Sequence, residues 1–231
     1  MDGNSNAISA QAILGVDLFR SQARGQCITC HEGAELTNAS VRQVRVDPTR
    51  IRDGQAMDRG FNNIGVLETL QDLSLGAKDD LGNWLSTVKR LTPAPPEPIV
   101  VDGAFKVPGL RNVELTAPYF HNGGQVDLSA VLDFYDRAGD AHEGMVTLDG
   151  TQVELMSILG LTPEEKAALL AFLVSLTDER VRFQQAPFDH PQLFIPNGPG
   201  APRMIMPGDP LFEIPAVGRF GGQPQKKFLE P

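Results

Sequence analysis

Cys27-Ile28-Thr29-Cys30-His31 contains both cysteines of the chain and one of its four histidines within five residues. Two thiols three positions apart can add to the two vinyl groups of a porphyrin while the adjacent imidazole reaches the iron from the same side. The pentapeptide therefore reads as a site of covalent c-type haem attachment. A thioredoxin-like redox pair would need a βαβ context that the surrounding sequence does not offer. A four-thiolate zinc site, an iron–sulfur cluster or a disulfide scaffold would each need more than two cysteines.

Outward from this motif, composition sets the class. With 231 residues, 41% hydrophobic and 21% charged, the chain can bury a substantial core as one large domain or two small ones, and disorder throughout is excluded. Acidic residues outnumber basic ones 29 to 20, a net charge of −9, which argues against a nucleic-acid or anionic-membrane binder. No apolar run approaches the roughly 18 residues of a membrane span, and Met1 to Asn6 carry no basic residue, so neither a span nor an export signal is expected in the sequence as written. The 23 glycines and 18 prolines predict extensive loops.

Upstream of the cysteines, Ile8, Ile13, Leu14, Leu18 and Phe19 are spaced for one apolar helical face, predicting a helix that leads into the motif. From about 32 to 125 the chain is expected to be irregular, broken by Gly54, Gly60, Gly65, Gly76, Gly82 and the proline run Thr92 to Pro98, with a short helix around Trp84 to Leu91. Asp127 is placed to cap a helix that carries Leu128, Val131, Leu132 and Tyr135 on one stripe. Thr162-Pro163-Glu164-Glu165 reads as another start, with threonine capping, proline first and Glu165 closing a capping box, ahead of a buried face of Leu169, Phe172, Leu173 and Leu176. Beyond Gln185, where ten of the eighteen prolines lie, a wrapping tail without regular structure is expected, anchored by Phe188, Leu193, Phe194 and Ile195. The fold class is mainly α: a cytochrome c-like haem domain over residues 1–184, enlarged by long loops, and an extended Pro-rich tail over 185–231.

An iron held by His31 needs a decision on its sixth position, because methionine there raises the reduction potential while tyrosinate lowers it. Tyr135, Met145, His142, His121 and Met57 are the candidates. Each has an ordinary alternative as a packed or hydrogen-bonded residue, and the sole tryptophan, Trp84, reads more simply as a core indole than as a redox station.

The stretch Ala104-Phe105-Lys106-Val107-Pro108-Gly109-Leu110-Arg111-Asn112-Val113-Glu114-Leu115-Thr116-Ala117-Pro118-Tyr119-Phe120-His121-Asn122-Gly123-Gly124, with one CxxCH before it and a Leu-Thr-Pro-Glu-Glu-Lys helix after it, resembles the C-terminal haem half of the bacterial dihaem cytochrome c peroxidase and MauG superfamily. Gly60-Phe61-Asn62-Asn63-Ile64-Gly65-Val66 fits the same pattern, and the resemblance runs over roughly residues 11 to 196. In that family the distal ligand lies on the helix after the Phe-His-Asp/Asn-Gly motif, methionine in peroxidases proper and tyrosine in the MauG branch. Fourteen residues beyond His121 stands Tyr135, so the resemblance implies a His31/Tyr135 haem. It also implies a calcium ion held partly by the backbone carbonyls of Thr116 and Pro118. The chain has one CxxCH with 26 residues ahead of it, whereas family members carry a second haem in an N-terminal domain. It is therefore expected to be either the C-terminal part of a longer multihaem protein or a single-haem relative.

Two functions follow as expectations. The first is a peroxidase-like oxidoreductase that stores or relays oxidising equivalents while a second haem domain or subunit reacts with hydrogen peroxide. Here Cys27 and Cys30 attach the haem, His31 and Tyr135 ligate its iron, Arg111 pairs with a propionate and His121 orients the distal side. The second is a single-haem electron-transfer cytochrome that meets a redox partner protein through its acidic surface. A haem-free structural domain is the third and blandest reading. Covalent haem attachment implies a periplasmic location by resemblance.

Overall fold

The computed structural model describes residues 7–52, 55–67, 72, 80–82, 104–140, 156–196 and 211–224. Chain contacts divide it into two compact units, Met1–Leu176 and Thr177–Pro231. Among the described residues the first unit is built on three helices: α1 (Ala10–Arg20), α3 (Leu128–Asp136) and α4 (Pro163–Val174), with a short α2 (Val41–Val46) between the first two. Each of these four helices starts on a side-chain cap, because the first turn leaves backbone N–H groups unpaired. Ser9 accepts from Ala12 N, Ser40 from Gln43 N, Asp127 from Ala130 N and Thr162 from Glu165 N. At α4 the full capping box forms, with Pro163 in the first turn, as the sequence predicts.

The core gathers Phe19 of α1, Leu128 and Leu132 of α3, and Leu169, Phe172 and Leu173 of α4 around Leu110, Val113 and Leu161. The buried face of α1 differs from the expected one. Ala12, Gly15 and Phe19 are buried, whereas Ile13 and Leu14 are 41% and 61% exposed. Close helix approach decides this: a Cβ at Gly15 would collide with the Ala168 carbonyl and lie 2.7 Å from Phe172 Cβ, so the two backbones can meet only through small residues. Phe19 then sets its ring edge-on to Phe172 at 5.1 Å. Leu176 lies just past the end of α4, where its carbonyl accepts from Asn112 N at 3.1 Å.

Helix α3 is buried on two sides rather than one. Leu128 and Leu132 face the core, while Phe134, fully buried, turns to the ring of Phe120 at 4.6 Å. Lys166 of α4 bridges Asp133 and Asp136 of α3, 2.7 Å from each, and Asp136 also accepts from Leu161 N.

Three two-stranded antiparallel ladders complete the described residues: β1 (Thr49–Arg52) with β2 (Gln55–Asp58), β3 (Phe61–Asn62) with β4 (Phe105–Lys106), and, in the second unit, β5 (Leu193–Pro196) with β6 (Leu211–Ile214). At Gly60, φ is +81° and a side chain would meet the backbone of Ala39, so only glycine lets β3 start against that loop. The second unit also holds α5 (Glu179–Arg182). Its β5–β6 ladder corrects the expectation of a tail without regular structure, because Leu193, Phe194, Ile195, Leu211 and Phe212 supply the branched and aromatic side chains that favour strands. The expected helix at Trp84 to Leu91 and the proline run at 92 to 98 lie outside the described residues, as do Gly54 and Gly76.

Candidate functional site

Cys27–Thr29 form a single 3₁₀ turn, closed by Cys30 N to Cys27 O at 3.2 Å and His31 N to Cys27 O at 2.9 Å. Gln26 precedes it in the left-handed region at φ +57°. Arg24 ties this approach to the start of α4: its guanidinium donates to the carbonyls of Leu159 (3.1 Å) and Gly160 (3.2 Å) and pairs with Glu165. The turn carries Cys27, Cys30 and His31 on one short stretch of backbone, and neither cysteine is in a disulfide. Burial pushes the Cys27 thiol up to about 11, so it stays protonated and donates to Gly25 O at 3.2 Å. The Asn62 amide of β3 points at Cys30 Sγ across 3.9 Å.

The ring of His31 is fixed by the backbone. Nδ1 lies 3.0 Å from the Leu36 carbonyl, so Nδ1 carries the proton and donates, and the neutral ring keeps its lone pair on Nε2. Burial lowers the pKa of His31 from its ordinary 6.5, against a smaller opposing pull from the Leu36 and Pro108 carbonyls, and so favours the neutral imidazole that a metal requires. Leu36 itself sits at φ +52°, a conformation costing a non-glycine residue roughly 1 kcal/mol, and it thereby holds the carbonyl that orients His31.

Tyr135 stands near the end of α3. Burial pushes its phenol well above the ordinary value of 10, and the charges of Cys30 and Cys27 are felt strongly enough to add to the rise. Among the described residues its hydroxyl has no hydrogen-bond partner, in contrast to Tyr119, whose hydroxyl donates to Val113 O at 2.9 Å. Phe134 and Phe120 flank the Tyr135 ring edge-on at 5.4 and 6.2 Å.

The other candidates are distributed around this centre. His121 Nε2 donates to Asp72 at 2.6 Å, and its ring stacks flat on Phe105 at 3.7 Å. Arg111 spends Nε and Nη2 on the Ala34 carbonyl, at 3.1 and 2.8 Å, in the loop that follows His31. Thr116 and Pro118 follow the 3₁₀ turn Val113–Leu115, with Thr116 Oγ1 donating to Val113 O at 3.0 Å. Among the described residues no group of three or more His, Cys, Asp or Glu side chains is placed to hold a metal ion. Met57 lies on β2, and His142 and Met145 fall outside the described residues.

Leu36, Asn62, Asp72 and Phe120 are the residues that sequence reasoning did not assign to the site. Asn62 and Phe120 lie inside the two family-like stretches, which is a usable signal. Leu36 acts through its carbonyl and leaves no trace in side-chain type.

This donor set fits a haem c: two thiols three positions apart and outside any disulfide, an imidazole whose Nδ1 donates to the Leu36 carbonyl, and a phenol whose hydroxyl has no hydrogen-bond partner among the described residues. The comparisons agree. No family model matches the chain. Its sequence is 27% identical over 184 residues to a cytochrome-c peroxidase of Denitromonas iodatirespirans, covering 78% of this chain and 43% of that protein. It is 29% identical over 177 residues to the methylamine utilization protein MauG of Methylorubrum extorquens, covering 77% and 37%. The fold matches the crystal structure of a MauG-like protein associated with microbial copper homeostasis, with TM-score 0.50 and 29% identity over 78% of this chain and 47% of that one. Over most of its length the chain is similar to proteins of the dihaem cytochrome c peroxidase and MauG superfamily. It spans less than half the length of these relatives. No described helix is long and apolar enough to cross a membrane.

Proposed function

We propose that this chain is the haem c-bearing half of a periplasmic, peroxide-dependent oxidoreductase and relays oxidising equivalents exchanged with a second haem domain or subunit. The observation that supports this best is that Tyr135 is near enough to Cys30 and Cys27 for their charges to act on its phenol, in a chain whose His31 is oriented by the Leu36 carbonyl. Cys27 and Cys30 would tether the porphyrin through thioethers, His31 would give its Nε2 to the iron, and Tyr135 would supply the sixth ligand. A bound haem supplies one-electron redox chemistry.

The chain's own residues tune that chemistry. The Leu36 carbonyl holds His31 in the Nδ1–H tautomer and raises the basicity of Nε2. Phe120 and Phe134 line the Tyr135 ring with apolar surface, and a partly dry site strengthens the pull of a cation on the phenolate oxygen. Arg111, already turned to the loop after His31, would give its remaining donors to a propionate. His121 would orient the distal side, and the carbonyls of Thr116 and Pro118 would supply hard oxygen ligands to a calcium ion completed by a partner domain.

A single-haem electron-transfer cytochrome is the second reading, favoured by the presence of one CxxCH motif in 231 residues. The midpoint potential of the haem-loaded protein separates the two. A low potential that rises when Tyr135 is replaced by Phe is expected of the oxidoreductase. A high, methionine-like potential indifferent to that change would leave the carrier as the better account.

A further inference from the structure

His121 and Phe120 are neighbours in sequence that point to different parts of the site. The His121 side chain, 16% exposed, is held on its edge by the Asp72 carboxylate at 2.6 Å and on its face by Phe105, with ring centroids 3.7 Å apart and planes within 6°. Phe120 lies at φ +62°, and its ring packs against α3, 4.6 Å from Phe134 and 6.2 Å from Tyr135. A left-handed bulky residue does not persist unless its surroundings enforce it. Here one flank of that turn is locked by a buried, charge-assisted hydrogen bond, since the Asp72 side chain is only 7% exposed.

We propose that Asp72 is a positioning residue: by clamping His121 against Phe105 it enforces the Phe120 turn, and the Phe120 ring in turn holds Tyr135 toward Cys27, Cys30 and His31. This rests on the reading of Tyr135 as the iron ligand. The clamp joins residues 49 positions apart, so it forms only when the whole site has folded.

Ferric haem-loaded protein should be compared by low-temperature electron paramagnetic resonance and by redox titration for the parent, Asp72→Ala, Asp72→Asn and Tyr135→Phe. Asp72→Ala is expected to shift the ratio of tyrosine-bound to tyrosine-free haem by roughly tenfold, the scale of one lost charge-assisted hydrogen bond, with covalent haem content unchanged. Asp72→Asn keeps an acceptor oxygen and should give a smaller shift in the same direction. Should Asp72→Ala not fold, Asp72→Asn together with Phe105→Leu, which removes the stacked face, carries the same expectation. Parent-like spectra and potentials in the Asp72 and Phe105 variants, with Tyr135→Phe still losing its signal, would overturn the clamp alone. A Tyr135→Phe spectrum identical to the parent would overturn both the ligand reading and the clamp built on it.

Discussion

On the attachment side of the site, the groups that hold the chemistry lie close by in sequence. Gly25 O takes the Cys27 thiol two residues on, and Leu36 O takes His31 from five residues on. On the Tyr135 side the supports are remote: Asp72 reaches His121 across 49 positions, and Phe120 reaches Tyr135 from before the helix that carries it. A motif held by local backbone can form early and depends little on the rest of the domain, whereas a side chain held by a relay of other side chains depends on the whole core. The two halves should therefore fail differently.

The sharpest break is at the attachment side. Replacing both Cys27 and Cys30 by Ser is expected to abolish haem retention after denaturing electrophoresis, while far-UV circular dichroism keeps the helical signal of α1, α3 and α4. On the other side, Phe134→Ala removes a fully buried ring between Phe120 and Tyr135 and should cost about 3–5 kcal/mol in urea unfolding. Gly15→Val forces a side chain into the Ala168 carbonyl and should cost about 3 kcal/mol by the same assay, because α1 must back away from α4.

His31 supplies a smaller, pH-dependent contrast. Its folded pKa is depressed by burial, so below 6.5 the unfolded chain binds more protons than the folded one. The haem-free protein should hold its full His31-linked stability above pH 6.5 and lose it as pH falls below that value. His31→Gln should flatten this part of the curve. The smallest effect is expected at Thr162→Ala, which opens the α4 capping box for about 1 kcal/mol and leaves the site untouched.

Legibility in the sequence followed the same division. The Asp127 cap and the Thr162 capping box are legible directly, because each is a short pattern whose partner is a few residues away, and the pentapeptide Cys27 to His31 is likewise a local pattern. On the buried face of α1, Phe19 is legible from apolar bulk, whereas Ile13 and Leu14 are exposed because the packing turns on Gly15, whose value is the absence of a side chain. Phe134 escaped notice because a single i, i+3, i+4, i+7 stripe describes a helix buried on one side, and α3 is buried on two. Asp72 lies in a stretch with no period and no motif, so its partnership with His121 exists only in three dimensions. The β5–β6 ladder was hidden by the prolines around it, although its own residues favour strands.

The most direct test is the ferric optical and electron paramagnetic resonance spectrum of the haem-loaded protein beside that of Tyr135→Phe. A low-spin, six-coordinate signal that disappears in the variant is the predicted result. A methionine charge-transfer band that persists unchanged in the variant would contradict the His31/Tyr135 assignment and, with it, the oxidoreductase reading.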